Sequence, residues 1–471
     1  MGGLRAHHGD WESSLFHFDK AVELRPSDPD ARANRARAIG SLIERATALA
    51  KDRCFDDALR FYDLVLKSEP NSATAWNNRG NALYGMSRYD DALAAYDRAL
   101  ELDDTLVLAH SNRGNILSRY GRYVEALCEC DKVLKLAPKE AAAHHNRANA
   151  LRALRQYDEA LLSYRRAIKC DSNLAEAHVN QAMLRLQLGQ FAEGARQFDW
   201  RWKMSAYPKM RAFTAPRWTG TEPIAGKRLL VHGEQGQGDV IQFARFTKTL
   251  AECGAKVVLE APMSCVRLFA SLEGTPEILP FGEPLPAADY QLPIMSLMGA
   301  LDLTLETIPA PRRYLSPPPG VSAAWRAKMG KSDKVRVGIV WAGNANHHND
   351  YLRSAPRALL ESLAGPEIEL IPLQKELRDD LDDFADTAAL IDCLDVVVTV
   401  DTSVAHLAGA LGAKTWVLIP YAPDWRWLNE RTDSPWYPSV TLYRQHAPGD
   451  WEGVIERVRR DLSRIAARAA R

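Results

Sequence analysis

The sequence predicts an α plus α/β protein: a repetitive array of helices, then a region where strands and helices alternate in two halves. Three observations predict it. Aromatic and small residues recur every 34 positions through the first 200 residues. From about residue 220, apolar β-branched runs alternate with helical stretches. Between these runs lies a proline-dense segment, "IPAPRRYLSPPPG" at 308–320, which reads as a linker between halves.

The repeat is the first element. Phe55, Tyr89, Tyr123, Tyr157 and Phe191 are each 34 apart, and Ala58, Ala92, Ala126, Ala160 and Gly194 keep the same step. A 34-residue period with this pattern resembles the tetratricopeptide repeat, a helix-turn-helix unit. Alanines let neighbouring helices approach, and aromatics fill the holes between them. Trp11 precedes Phe55 by 44, so the first complete unit carries about ten extra residues, placed around "SLIERATALA". The stretch "GDWESSLFHFDKAVELRP" reads as a second helix with little of its first. The array is therefore expected to have lost N-terminal repeats and to present an apolar edge.

Each unit also carries an asparagine in its first helix: Asn34, Asn78, Asn112, Asn146 and Asn180. Helix formation does not need asparagine. First helices line the concave face of such solenoids, and an amide offers both a donor and an acceptor to an extended peptide. The series is thus expected to bind a polypeptide. The alternative is repeat consensus on a solvated face.

Composition bounds the rest. The chain has 471 residues, too many for one core. Lys+Arg and Asp+Glu balance at 60 each, which argues against a dedicated nucleic-acid or membrane-surface binder. No apolar run is long enough to span a bilayer, and the first residues lack a signal peptide's apolar core. Seven cysteines without a C-x-x-C pair suggest reduced thiols, a cytoplasmic location and no zinc site. The expected domains are 1–205 for the solenoid, 206–320 for a first α/β half with its linker, and 321–471 for a second half with a C-terminal helix. Trp200, Trp202 and Trp218 are expected to cement the boundary.

The α/β halves carry the chemistry. "HGEQGQGDVIQF" follows a strand, and its glycine spacing approaches that of a phosphate loop, but Asp239 stands where such a loop needs lysine. A carboxylate there would repel a diphosphate. Asp239 is either a general base or a helix cap, with Glu234 in reserve. In the second half, "VVVTVDTSVAHLAGALG" ends a strand and begins a helix, with Thr402 and Ser403 as N-cap residues and free N–H groups suited to an anion. Upstream, Gly343 permits a tight turn, and the planar fork of Arg353 suits a phosphate. Gln374 is placed to bond a nucleobase or ribose. His347 and His348 are adjacent loop residues without zinc spacing.

Together "QGQGDVIQFAR", "GIVWAGN…NDYLRS", "FADTAALI" and "LDVVVTVDTSVAHLAGALG…PDWRWL" resemble the glycosyltransferase domain fused to tetratricopeptide repeats in bacteria. That domain is similar to the heptosyltransferases and has the GT-B fold of two Rossmann-like halves. The layout also resembles O-linked N-acetylglucosamine transferases and flagellin glycosyltransferases. The resemblance implies a nucleotide-sugar co-substrate held by Asp401, Thr402, Ser403 and His406, with Gly343, Asn344, Arg353 and Gln374 completing the donor side. It implies inverting transfer without a cofactor or metal, with Asp239 as the base. The implied partner is an acceptor protein, flagellin-like in kind, bound along the repeat groove. Two other readings stay open: a glycan or lipid-linked acceptor, and a non-catalytic repeat scaffold. The segment at 375–386 is shorter than this family usually has, a departure beside the nucleotide pocket.

Overall fold

The computed structural model describes residues 11–208, 210–234, 236–344 and 350–469. His347 and His348 lie outside the described residues. The chain divides into two compact units, Met1–Ala177 and His178–Arg471.

The first unit is a run of antiparallel helices: α1 (Trp11–Leu24), α2 (Pro29–Lys51), α3 (Phe55–Ser68), α4 (Ala73–Gly85), α5 (Tyr89–Leu102), α6 (Val107–Arg119), α7 (Tyr123–Leu136), α8 (Ala141–Ala153) and α9 (Tyr157–Cys170). The periodic Ala58, Ala92, Ala126 and Ala160 are buried, which is what permits close helix packing. Gly80 is needed for the same reason: a Cβ there would stand 2.5 Å from the Tyr96 ring. The ten extra residues lengthen α2 to 23 residues, against 13 in α4, α6 and α8, adding nearly three helical turns.

Each asparagine of the series from Asn34 to Asn146 is followed by an arginine that reaches back to the preceding helix. Arg35 meets Asp19 at 2.6 Å, Arg79 meets Asp63 at 2.7 Å, Arg113 meets Asp97 at 2.6 Å and Arg147 meets Asp131 at 2.7 Å. The "NR" dipeptide of the repeats is therefore also an ionic tie between successive units.

The second unit opens with α10 (Ala175–Gln187), which begins at the boundary, and α11 (Phe191–Phe198). Val179, Ala182, Leu186, Phe191 and Phe198 share a core with the first sheet, so the compact boundary falls at 177/178 rather than at 205. Of the three tryptophans, Trp218 is buried, Trp200 stacks on His178 at 3.7 Å, and Trp202 meets Tyr207 edge-on at 5.1 Å. All of these contacts lie inside the second unit.

Two fully parallel sheets follow. The first has the order β3-β2-β1-β4, built from β1 (Arg228–His232), β2 (Lys256–Ala261), β3 (Glu277–Pro280) and β4 (Tyr290–Pro293). Helices α12 (Gln237–Phe243), α13 (Phe246–Glu252), α14 (Met263–Phe269) and α15 (Leu297–Ala300) connect and cover it. The second has the order β6-β5-β7-β8-β9, from β5 (Val335–Val340), β6 (Ile368–Pro372), β7 (Val396–Val400), β8 (Thr415–Ile419) and β9 (Val440–Arg444). Its helices are α16 (Pro319–Met329), α17 (Asp350–Arg353), α18 (Arg357–Glu361), α19 (Phe384–Ile391), α20 (Ser403–Ala410) and α21 (Trp451–Ala469). In both sheets the strand order reverses, beside β1 in the first and beside β5 in the second. Such switch points are where open α/β sheets bind ligands.

The two sheets are not separate bodies. Val240, Phe243, Ala405, Ala408, Trp436 and Tyr437 belong to one continuous core. The proline-dense segment is part of that packing rather than a free linker. Tyr314 donates its N–H to Ala410 O (3.0 Å) and its hydroxyl to Ile241 O (2.9 Å). Gly412, at φ +68°, makes room for the carbonyl of Arg312. Among the described residues, no helix is long and apolar enough to cross a membrane. No disulfide joins the seven cysteines, and Cys128 is exposed while Cys130 is buried.

Candidate functional site

The asparagine series is half-buried and partly engaged. Asn112 Nδ2 donates to Asn77 Oδ1 (3.1 Å) and Asn81 Oδ1 (2.8 Å), and Asn146 Nδ2 donates to Asn115 Oδ1 (2.9 Å). Asn78 Oδ1 accepts from Asn77 (3.1 Å), and Asn34 Oδ1 from Arg37 (2.6 Å). The donors of Asn112 and Asn146 thus serve contacts between repeats. Asn112 spends both of its amide N–H donors and offers a peptide its carbonyl oxygen, whereas Asn146 spends one and keeps the other N–H beside its oxygen. Asn180 belongs to the second unit.

In the second unit the candidate residues follow the carboxyl ends of strands. Asp239 comes after β1, Gly343 and Asn344 after β5, Gln374 after β6, Asp401 after β7, and Asp424 and Arg426 after β8. Arg426 is the hub. Its Nη2 donates to Asp239 Oδ1 (2.5 Å), its Nη1 to Asp424 Oδ1 (2.9 Å) and its Nε to Gln242 Oε1 (2.7 Å). Its side chain is 10% exposed. The stretch "PDWRWL" contains both Asp424 and Arg426, and nothing in its local pattern assigns either a role. Their partner Asp239 stands 187 positions away from Arg426, a distance no local spacing reveals.

Asp239 is the third residue of α12, and its carboxylate also takes the N–H of the cap residue Gly236. It is therefore a helix cap as well as an ion-pair partner. Burial holds its proton affinity above the usual carboxylate range, with Arg426 pulling the other way. Asp401 is raised more, to about 6, first by burial and then by the charge of Asp424; Arg426 and Arg353 oppose the rise. Two raised carboxyls around one arginine make a site able to hold or pass a proton.

The raised Asp401 gives a testable pH dependence. Its folded value of about 6 lies above its ordinary 3.8, so between the two the folded chain keeps a proton that the unfolded chain has released. The stabilisation is complete below the ordinary value and disappears as pH rises through about 6. Asp401→Asn should therefore raise the melting temperature at pH 8 and leave it nearly unchanged at pH 4, by about 1–3 kcal/mol of relief. A variant less stable than wild type at pH 8 would show that the carboxylate is needed for its charge.

The glycines serve space rather than a special backbone conformation. None of Gly233, Gly236, Gly238 or Gly343 has positive φ. A Cβ on Gly238 would stand 2.9 Å from His406 and 3.4 Å from the Ser403 Cα, so this glycine lets α12 lie against α20. A Cβ on Gly343 would meet an Arg353 nitrogen at 2.5 Å. The turns expected at these positions are ordinary ones, and the glycines admit the neighbouring side chains.

The donor-side residues are distributed as follows. Arg353 Nε donates to Asp350 Oδ1 (3.0 Å), and its charge reaches Asp401. Thr402 occupies the N-cap of α20 without a side-chain cap bond; its hydroxyl instead meets Thr399 at 3.2 Å. The first turn of α20, from Ser403, is therefore not closed by that side chain. His406 is buried, bonds Tyr437 through Nδ1 (3.0 Å) and stacks on Trp427 at 5.5 Å. Burial, then Arg426 and Arg245, keep it neutral, well below the ordinary histidine range. Its ring packs between α12 and α20, against Gly238. Gln374 donates to Ala342 O (3.2 Å), and its buried Oε1 has no partner among the described residues. The stretch after it holds a short 3₁₀ turn, Lys375–Leu377, before α19.

Glu234 is committed elsewhere. It accepts two bonds of 2.8 Å from Arg201, one of 2.8 Å from Tyr207 and one of 2.9 Å from the Met295 N–H. With its carboxylate filled and its side chain fully buried, it has no room to take a substrate proton. Among the described residues, no group of three or more His, Cys, Asp or Glu could hold a metal ion.

By fold and repeat, the first unit is of the tetratricopeptide-repeat class. The tetratricopeptide-repeat family model matches residues 73–106 and 141–174. The particular likenesses are more distant. Over 328 residues the chain is 26% identical to protein FlbA of Caulobacter vibrioides, covering 60% of this chain and 54% of FlbA. The chain thus spans about half the length of that curated relative. Among solved structures, MamA (41 to end) from Desulfovibrio magneticus RS-1 is 19% identical with a TM-score of 0.32, over 34% of this chain and 91% of MamA. YrrB, described as a TPR protein with an unusual peptide-binding site, is 21% identical with a TM-score of 0.31, over 39% of this chain and 89% of YrrB. Likenesses this low carry no argument about function.

Proposed function

We propose that the second unit transfers a sugar from a nucleotide-sugar donor to a hydroxyl of a polypeptide recruited by the repeats, through a GT-B arrangement of its two sheets. One observation carries this reading. Asp239, Asp401, Arg353 and Arg426 come together from the carboxyl ends of strands in two parallel sheets, the first three at or beside the points where strand order reverses. Asp239 takes the proton of the acceptor hydroxyl as its oxygen attacks the sugar carbon. The bond from that carbon to the diphosphate breaks, and the nucleotide leaves with the electron pair. Arg353 and the first turn of α20 receive the growing negative charge. The inverting, metal-free course rests on the family resemblance, as does the flagellin-like acceptor. The acidic side chains around Arg426 are the reason to place the diphosphate toward Arg353 instead.

A second reading is favoured by one fact: Asp239 is itself paired with Arg426, as a purely structural carboxylate would be. On that reading the chain is a repeat scaffold with an inactive domain. The two separate by donor binding. A panel of nucleotide sugars should raise the melting temperature of the wild-type chain for at least one member. Arg353→Ala should weaken that binding about 10-fold or more, since a charged hydrogen bond worth about 1.5–3 kcal/mol is lost. No thermal shift with any nucleotide sugar would leave the scaffold reading standing.

A further inference from the structure

We propose that an open cavity in the repeat unit, between α7, α8 and α9, binds the carboxylate of an acidic polypeptide segment. The cavity measures about 760 Å³, and its lining includes Asp131, Lys139, His144, Arg147, Arg166 and Lys169. Four cations face one carboxylate there. That carboxylate, Asp131, is already taken by Arg147 Nε (2.7 Å). Among the described residues Lys139, Arg166 and Lys169 form no ion pair.

The repeat one period earlier shows what these side chains are built to hold. There His110 Nδ1 meets Glu129 Oε2 at 2.5 Å, Arg113 meets Oε1 at 3.0 Å and Lys132 meets Oε1 at 2.9 Å. The other ring nitrogen of His110 bonds Asp104 O at 2.9 Å. Glu129 is 2% exposed. Burial pushes its carboxyl up, but the bonds from His110 and Lys132 and the charge of Arg113 bring it net below the usual range.

Adding 34 maps His110, Arg113, Glu129 and Lys132 onto His144, Arg147, Ser163 and Arg166. The cations are retained and the carboxylate is gone. His144 Nε2 still bonds a carbonyl, Pro138 O at 3.0 Å, as its counterpart does. Its Nδ1 is buried without a partner in a residue only 8% exposed. Arg147 has turned to the small hydroxyl of Ser163 (2.8 Å). The cavity thus opens over a set of donors from which one carboxylate is missing. A carboxylate entering it meets the guanidinium groups of Arg147 and Arg166 beside the unpartnered ring edge of His144. Exposed Lys139 and Lys169 at the rim suit a segment bearing further acidic residues. The site is separate from the asparagine series: on α8, Asn146 is turned about 200° from His144.

The test uses the full chain and a dye-labelled Glu-rich peptide followed by fluorescence polarisation. Wild type should bind it, and the Gln-for-Glu version should bind at least about 10-fold more weakly. Ser163→Glu restores the side chain present in the sister repeat and should cost at least about 10-fold in affinity. Ser163→Ala should bind like wild type. Arg166→Ala with Lys169→Ala changes exposed residues only and should weaken binding by the same measure, even if Ser163→Glu failed to fold. The proposal is overturned by absence of binding, by equal affinity for the Gln peptide, or by unchanged affinity in both Ser163→Glu and the double variant. Inorganic phosphate displacing the peptide more effectively than acetate would overturn the carboxylate assignment. Glutarate binding as tightly as the peptide would overturn a polypeptide as its source.

Discussion

Asp239→Asn is expected to lower sugar transfer about 10²–10⁴-fold while leaving the fold and donor binding in place. The substitution is conservative where structure is concerned. The single asparagine oxygen can still accept from Arg426 or from the Gly236 N–H, so one of the two contacts survives without a change of shape. What disappears is the lone pair basic enough to take a proton. Since burial raises Asp239 above the ordinary carboxylate range, the wild-type rate should climb with pH through that raised value, where the group becomes ionised. The readout is turnover with the donor identified by thermal shift. A variant that turns over at near wild-type rate would reduce Asp239 to a cap and ion-pair partner.

The second large effect concerns Arg426. Arg426→Met should destabilise the second unit by about 2–4 kcal/mol, measured by urea unfolding, because it strands partly buried carboxylates without their counter-charge. Asp239 and Asp424 are its direct partners, and Asp401 feels its field. The loss should be largest at pH 8, where the raised carboxyls of Asp239 and Asp401 are ionised, and smaller near pH 4. Combining Arg426→Met with Asp239→Asn and Asp424→Asn should recover much of the stability, since the penalty lies in the uncompensated charges. If the single variant lost under about 1 kcal/mol, the hub would be an ordinary surface ion pair.

Much of the fold was legible in the sequence for a physical reason. Central parallel strands are buried on both faces, so β1, β2, β5, β7 and β8 read as continuous apolar runs. The strands with a weak apolar trace are edge strands: β3 ("EILP") and β4 ("YQLP") border the first sheet, and β9 ("VTLYR") borders the second. An edge strand needs less apolar surface and so leaves a weaker trace. The boundary at 177/178 was hidden because α10 and α11 keep the repeat signature while packing into the sheet core. At the site, Asp239 and Asp401 were visible as polar residues at strand ends. Arg426 was not, because its role comes from partners brought in by the fold. The glycines were visible, but their purpose was not, since a clash with His406 or Arg353 exists only in three dimensions.

The arginine–aspartate ties of the repeats have a consequence for how this array comes apart. Each joins one helical pair to the next, from Arg35–Asp19 to Arg147–Asp131, and the series stops there because glutamine stands at position 181. A single such bond is worth only about 0–1 kcal/mol. In a one-dimensional stack, however, nearest-neighbour terms decide whether units melt singly or as a block. Four ties of the same kind act as a coupling constant along the array, and salt weakens every one of them together. Ionic strength is then a dial on cooperativity itself: at low salt the helical pairs behave as one melting block, and at high salt as beads that fray from the end.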